Sequence, residues 1–555
     1  MEKKTTGLSI MLRLIKLVAP LKWIMTLGIF LGTIGHLCAI AVTVIGAKGV
    51  TMMLMGQGNY QKLILVLVVV AILRGIFHYG EQYCNHYIAF TILAIIRNKV
   101  FAALRKLCPA KLEGKDKGNL ITMITTDIEL LEVFFAHTIS PIAIAVLVSV
   151  IMLVFLANIS IVSALIGLLG YVAVGIIIPI YNGRKSANTG ADFRNEVGSL
   201  NSYVLDLAYG IDESIQYDSF EQNSNGIDTK SKDLGNTQNR LVGYEKNQRT
   251  ATNVVIQTVS VIMLIAMSMQ YMNGRISFES VVLAVVAIMS SFGPVIALAS
   301  LSNNLNQTLA CGKRVLDLLD EEPEAEDVTD GIDLIMDNSS VEDYLVADNI
   351  TFSYKDKLVF ENKTVKLPKE KIVGIHGPSG CGKSTFIRLL MRFWKIDAGQ
   401  ILYDINGDMV DVNQINTSSL RCNQSFVTQE TWIAHDTILN NIKIAKEDAT
   451  FDEVREAASK ASILEFIESL PEGFETVVGE QGSTLSSGEK QRIGLARAFL
   501  HDGKMLIMDE PTSALDALNE AVILKSIKEA GANKNIILVS HRKSTMKVAE
   551  TVLEF

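Results

Sequence analysis

The chain has 555 residues, a formal net charge of −8, and 49% hydrophobic residues with a positive mean hydropathy. That apolar content exceeds what an ordinary soluble protein carries and points to membrane spans. The acidic balance argues against nucleic acid as a partner, which would call for a basic patch.

The stretch 1–16 is basic, and no small-residue cleavage site follows the first apolar run, so that run is expected to be a retained helix. Crossing the hydrocarbon core takes about 20 apolar helical residues. Six runs of this kind fall near 21–45, 63–88, 140–154 (reaching back toward Phe134), 161–180, 254–272 and 278–301. Tight turns near Asn158 and at Asn273-Gly274 join the third to the fourth and the fifth to the sixth. Long polar helical stretches, 97–132 and 181–252, join the second to the third and the fourth to the fifth. These carry Arg97, Lys99, Arg105, Lys106, Arg184, Lys185, Arg240 and Arg249. The positive-inside rule therefore places them in the cytoplasm, with the N-terminus (Lys3, Lys4, Arg13, Lys16) and everything after the sixth span. A multi-pass protein of the cytoplasmic membrane is expected. The six scattered cysteines show no CxxC or Cys/His zinc spacing and no disulfide framework, in keeping with a reduced cytosolic face.

An acidic, aperiodic stretch follows and reads as a linker, 316–345. Beyond it, short β-branched runs (KIVGIHG, MLIMDE, NIILVSH) alternate with helical segments, which predicts a mostly parallel sheet covered by helices. The expected organisation is multi-domain: a six-helix α-helical transmembrane domain over 1–315, the linker, and an α/β P-loop domain over 346–555.

Residues 377–385 read Gly377-Pro378-Ser379-Gly380-Cys381-Gly382-Lys383-Ser384-Thr385, the GxxxxGK[ST] pattern between an apolar strand and a helix. Gly377, Gly380 and Gly382 allow backbone N–H groups to close around phosphate oxygens, and the helix N-terminus adds favourable potential. Lys383 suits the β- and γ-phosphates, and Ser384 suits Mg²⁺. Further on, an apolar strand ends in Asp509 and Glu510, placed for the Mg²⁺ shell and for general-base work on the attacking water.

The run Leu485-Ser486-Ser487-Gly488-Glu489 resembles the ABC signature, usually written LSGGQ. With the phosphate loop and Asp509-Glu510, the whole second domain resembles the ABC ATPases. The resemblance implies that Tyr354 stacks on adenine, that Gln429 senses Mg²⁺ and the membrane domain, and that His541 contacts the γ-phosphate. It implies a D-loop at Ser513-Ala514-Leu515-Asp516. Glu480 lies in a VGEQG stretch typical of exporters. It also implies two such domains face to face, with Ser486 and Gly488 acting on ATP held by a partner. Ser487 and Glu489 depart from the signature, which suits one subunit of a heterodimer that offers its partner a weakened site. Relatives usually continue past the histidine with a further strand, a turn and a helix, so a shortened C-terminal part is expected. Cys381 reads as a small filler inside the loop.

The second span carries Arg74, His78, Glu81 and Asn85 on one helical face, with His86 nearer Tyr79, Gln82 and Tyr83. Ionisable side chains within a span mark either an internal polar network or a cargo pathway. The run 72–93 with Ile139-Ser140-Pro141 resembles the CydC type of half-transporter, in which Arg74, Tyr79, Glu81, His86, Phe90 and Leu93 match. That resemblance implies a heterodimer handling haem or a low-molecular-weight thiol, with His86 as haem ligand. Gln82 stands where an arginine is frequent in that family. Alternatives on the same fold are an exporter of lipids, peptides or drugs, an importer of haem or a metal chelate, and an ATP-driven regulator that moves no cargo.

Overall fold

The computed structural model describes residues 7–55, 60–113, 117–336, 341–355, 357–369, 371–513, 516–530 and 534–555. The chain divides into two compact units, 1–105 with 114–321, and 106–113 with 322–555.

The first unit is helical. Its helices are α1 (Gly7–Leu17), α2 (Lys22–Leu54), α3 (Tyr60–Leu107), α4 (Lys117–Thr122), α5 (Ile128–Phe134) and α6 (Ser140–Ile159), then α7 (Ile161–Val172), α8 (Ile178–Tyr209), α9 (Ile211–Gln216), α10 (Phe220–Met272), α11 (Phe278–Ser291) and α12 (Gly293–Asp320). Among the described residues, six helical segments are long and apolar enough to cross a membrane: Ala19–Leu54, Gln61–Leu107, Leu120–Ile159, Ile161–Ser186, Phe220–Met272 and Phe278–Leu298. The third is continuous because π-helical turns, Met123–Asp127 and Phe135–Ile139, link α4, α5 and α6. Ser160 caps α7 by accepting from the Val162 N–H, which turns the chain between the third and fourth spans. The sixth apolar run, 278–301, is two helices rather than one. α11 ends at Ser291, and Pro294 in the first turn of α12 cannot continue the earlier ladder. α12 runs to Asp320 and the first strand starts at Asp343, so both ends of the stretch 316–345 are regular structure. Lys3 and Lys4 lie outside the described residues.

In the second unit, β1 (Asp343–Tyr354), β2 (Lys357–Pro368), β4 (Ala398–Ile405) and β5 (Asp408–Asp411) form an antiparallel sheet in the order β2-β1-β4-β5. A parallel sheet has the order β6-β7-β8-β3-β9, from β3 (Ile372–His376), β6 (Gln424–Val427), β7 (Met505–Asp509), β8 (Asn535–Val539) and β9 (Thr551–Glu554). β7 and β8 are buried throughout, as continuous apolar strands covered on both faces must be. Helices α13 (Lys383–Leu390), α14 (Thr417–Asn423), α15 (Ile438–Lys443), α16 (Phe451–Lys460), α17 (Leu464–Ser469), α18 (Ser487–His501), α19 (Ala517–Ala530) and α20 (Lys543–Met546) complete it.

The loop after β6 is fixed by one buried amide. Asn441 is fully buried; it accepts from the Ala434 N–H (2.9 Å) and from Arg497 (3.0 Å), and it donates to the oxygens of Ala434 (3.1 Å) and Thr437 (3.0 Å). Arg497 also donates to the oxygens of Asn441 and Trp432, each at 2.6 Å. Asn441→Ala strands several of these groups, so it is expected to cost about 3 kcal/mol, where each unsatisfied buried partner costs ~1–3 kcal/mol. Thermal unfolding of the purified protein, with the exposed Asn440→Ala as control, measures it.

Candidate functional site

The phosphate loop leaves β3 at His376 and enters α13 at Lys383. Gly380 and Gly382 have φ of 83° and 101°, in the left-handed region that favours glycine. A Cβ on Gly382 would also lie 2.8 Å from the Phe360 ring. Lys383 is buried, and its Nζ donates to the main-chain oxygens of Gly377 (2.9 Å) and Pro378 (2.8 Å). Ser379 and Gly380 are exposed at the tip, Cys381 is half-buried, and Thr385 is buried beneath the first turn.

β7 delivers Asp509, buried, next to Ser384, which hydrogen-bonds its carboxylate. Burial pushes the Asp509 carboxyl above its ordinary range; Ser384 lowers it, the neighbouring Glu510 raises it, and Arg388 and Lys383 lower it. A hydroxyl beside a destabilised carboxylate is a hard-oxygen donor pair, and it fits a divalent cation such as Mg²⁺. Glu510 follows with φ of 50°, a strained value for a non-glycine residue. Three contacts hold it: its N–H donates to Val539 (2.9 Å), the Gln491 amide donates to its main-chain oxygen (2.8 Å), and its carboxylate meets His541 Nδ1 at 2.8 Å. Gln491 lies in the signature helix, and only the folded chain brings it to Glu510.

The other residues singled out by the sequence have the following surroundings. Tyr354 ends β1 and packs edge-on against Phe352 (4.9 Å) and Trp394 (6.0 Å), and the Arg388 guanidinium covers Trp394 at 5.1 Å. Gln429 is exposed just past β6. Ser486 is the exposed N-cap of α18 in a reciprocal capping box. The Ser486 N–H donates to the Glu489 carboxylate (2.7 Å), and the Glu489 N–H donates to Ser486 Oγ (3.3 Å). Gly488 is in the first turn of the same helix. Asp516 accepts from the N–H groups of Leu518 and Asn519, each at 3.0 Å, and these bonds hold its carboxyl below the usual range. Ala514 and Leu515 lie outside the described residues.

In the membrane unit, the polar and ionisable residues of α3 divide. Glu81 and Asn85 are buried, while Arg74, His78, Tyr79 and His86 are exposed. His78 Nδ1 lies 3.2 Å from the Glu81 carboxylate. A Cβ on Gly32 of α2 would come within 2.8 Å of Glu81 Cδ, so Gly28 and Gly32 open the room that Glu81 and Asn85 occupy. The His86 ring meets His137 edge-on at 5.9 Å and Phe90 at 6.1 Å, and its Nδ1 is 3.9 Å from the Glu132 carboxylate. His137, on a π-helical turn, and Glu132 are contacts that sequence spacing does not reveal.

Cys381 Sγ lies 3.8 Å from Lys383 Nζ. Alkylation of this thiol is expected to block ATP hydrolysis, with ATP protecting it. Cys381→Ala is expected to keep activity and lose the sensitivity. Maleimide inactivation kinetics with and without nucleotide check both.

Comparison with known proteins agrees with this geometry. The family model described as ABC transporter matches residues 360–513, and that described as ABC transporter transmembrane region matches residues 25–295. A probable ABC transporter ATP-binding/permease protein of Haemophilus influenzae is 43% identical, covering 99% of this chain and 98% of the relative. An ATP-dependent lipid A-core flippase, also of Haemophilus influenzae, is 28% identical, covering 90% of this chain and 84% of the relative. The solved structure of a bacterial Atm1-family ABC exporter with ATP bound superposes with a TM-score of 0.82 at 23% identity, covering 97% of this chain and 94% of that one. The chain belongs to the ABC transporter family, with an exporter-type transmembrane domain fused to an ABC ATPase domain that couples ATP hydrolysis to transport.

Proposed function

We propose that this chain is one half of a dimeric, exporter-fold pump of the cytoplasmic membrane, with its N-terminus and ABC domain in the cytoplasm. One observation carries the reading: Lys383 and Ser384 of the loop, Asp509, and the Glu510–His541 pair all emerge from one end of adjacent parallel strands. Glu510 is the general base for the attacking water, and His541 orients it and answers γ-phosphate charge. Tyr354 stacks on adenine, and Gln429 reports on the site. Ser384, Asp509 and Gln429 would hold Mg²⁺, which when bound neutralises charge on the phosphate oxygens. Ser486 and Gly488 complete the site on the partner's nucleotide. Glu489 brings a carboxylate to a helix N-terminus where phosphate would otherwise be favoured. That supports a heterodimer in which this signature serves the weaker site.

The cargo we propose is a small amphiphile with an aromatic or planar part. Tyr79, Tyr83, Tyr87 and Phe90 are exposed along α3 around the His86–His137 pair. The flippase named among the relatives handles a lipid, which is itself an amphiphile. Haem, the cargo implied by the likeness to CydC, falls within this class, and the two imidazoles support it further. A low-molecular-weight thiol uses neither feature.

Glu510→Gln is expected to lower kcat by ~10²–10⁴ while ATP still binds. Steady-state hydrolysis and nucleotide binding on the purified dimer in lipid measure this, and unchanged turnover removes Glu510 as base. For cargo, haem, a lipid A-core type lipid and glutathione are titrated against ATPase rate, with absorbance recorded for haem. A saturable haem spectrum lost in both His86→Ala and His137→Ala supports haem. Stimulation by the lipid without any haem spectrum favours the flippase reading, and a response to glutathione alone refutes the amphiphile.

A further inference from the structure

The phosphate loop is backed by an aromatic cluster for which the nucleotide chemistry has no use. The ring of Phe555, the residue after β9, lies 5.1 Å from Phe386 of α13 and 6.2 Å from Phe360 of β2. Phe360 and Phe386 are themselves 6.4 Å apart, so three rings close on one another. Lys363 Nζ sits 3.5 Å from the centre of the Phe555 ring, a cation held over an aromatic face.

The main chain ties the same residue to the start of the loop. The Phe555 N–H donates to the oxygen of His376, the residue just before Gly377, at 2.8 Å. Glu554 holds His376 Nδ1 at 3.0 Å. A Cβ on Gly377 would lie 2.7 Å from the Phe555 main-chain oxygen and 2.9 Å from Cys381 Sγ. The cluster thus touches the loop at three places. The Phe555 backbone backs Gly377, the Phe360 ring backs Gly382, and Phe386 lies one helical turn beyond Lys383. The Phe555 ring packs on the helix that carries the lysine and anchors the main chain that backs the first residue of the loop.

We propose that Phe555 is a positioning residue for ATP binding, holding the phosphate loop in its receptive curvature from behind while touching no nucleotide. Glu554 and Lys363 keep it in place. The inference rests on the nucleotide reading of the loop, but one of its readouts, the thiol reactivity of Cys381, needs no turnover and so tests it separately.

The experiment uses the full-length protein with exposed Cys108 and Cys422 replaced by serine. It measures the maleimide labelling rate of Cys381 together with KM for ATP and kcat. Phe555→Ala is expected to raise KM about tenfold, to leave kcat within about twofold, and to speed labelling about fivefold, as lost ground-state positioning does. Phe555→Leu, which keeps apolar bulk, is expected to recover most of both. Wild-type KM and labelling in Phe555→Ala overturn the proposal. So does a fall in kcat with unchanged labelling, which marks general packing loss. If Phe555→Ala does not accumulate, Glu554→Gln, at an exposed carboxylate, is expected to shift KM and labelling about twofold in the same directions. Wild-type values there overturn the proposal equally.

Discussion

The chemistry of the second unit depends on three buried strands running parallel in one register. Ile375 of β3 pairs with Val539 of β8, and Val539 pairs with Asp509 of β7. All three strands therefore end at the same edge, and whatever follows each of them emerges together. The phosphate loop follows β3, Glu510 follows β7, and Ser540-His541 follows β8. Strands covered on both faces admit no titrating side chain along their length, so polar groups collect at their carboxyl ends, where ligands bind in open α/β sheets. The Glu510–His541 contact spans 31 residues of sequence, yet it needs only this register and one strained turn.

Burial also sets what the polar groups at the same edge require of their neighbours. Lys383 is too buried to be solvated by bulk water, and a buried ammonium needs acceptors. The Gly377 and Pro378 oxygens supply them. An anion placed there would exchange one set of acceptors for another, which costs far less than desolvating a free lysine. Asp509 mirrors it. Its carboxylate is disfavoured by burial, and Ser384, Arg388 and Lys383 offset this only in part. The edge is thus suited to an added cation beside Asp509 and an added anion beside Lys383.

The loop was legible because its pattern is contiguous, nine residues between a strand and a helix. The Ser486–Glu489 capping box was open to the same kind of reading, since S-x-x-E places both partners within one helical turn. Hydropathy marked the six membrane segments but not their helical ends. α3 continues to Leu107 and α10 begins at Phe220, because a helix leaving the bilayer keeps its backbone ladder while its side chains turn polar. Contacts between distant segments were not legible. His137 reaches His86 through a π-helical turn, Gly32 makes space for Glu81 across two helices, and Phe555 closes on Phe360 and Phe386 from a strand that pairs outside β3. None has a local period to announce it.

That division bears on the polar face of α3. The sequence puts Arg74, His78, Glu81 and Asn85 on one face and His86 nearer Tyr79, Gln82 and Tyr83, with a structural and a cargo role both open. Burial divides these residues differently. Glu81 and Asn85 are packed against the small residues of α2, where a carboxylate is tolerated because His78 lies against it and neighbouring glycines leave it room. Unpaired intramembrane charge is costly, so such a group is held in place by its surroundings and is poorly suited to meet changing cargo. His86, Tyr79, Tyr83 and Phe90 are exposed and bring flat rings with adaptable polar edges. The apolar surface such rings offer is large for the few torsions they must fix, which is what a site that binds and releases an amphiphile requires. The exposed rings are therefore the part of α3 open to a ligand, and Glu81 and Asn85 belong with the packing of α2 on α3.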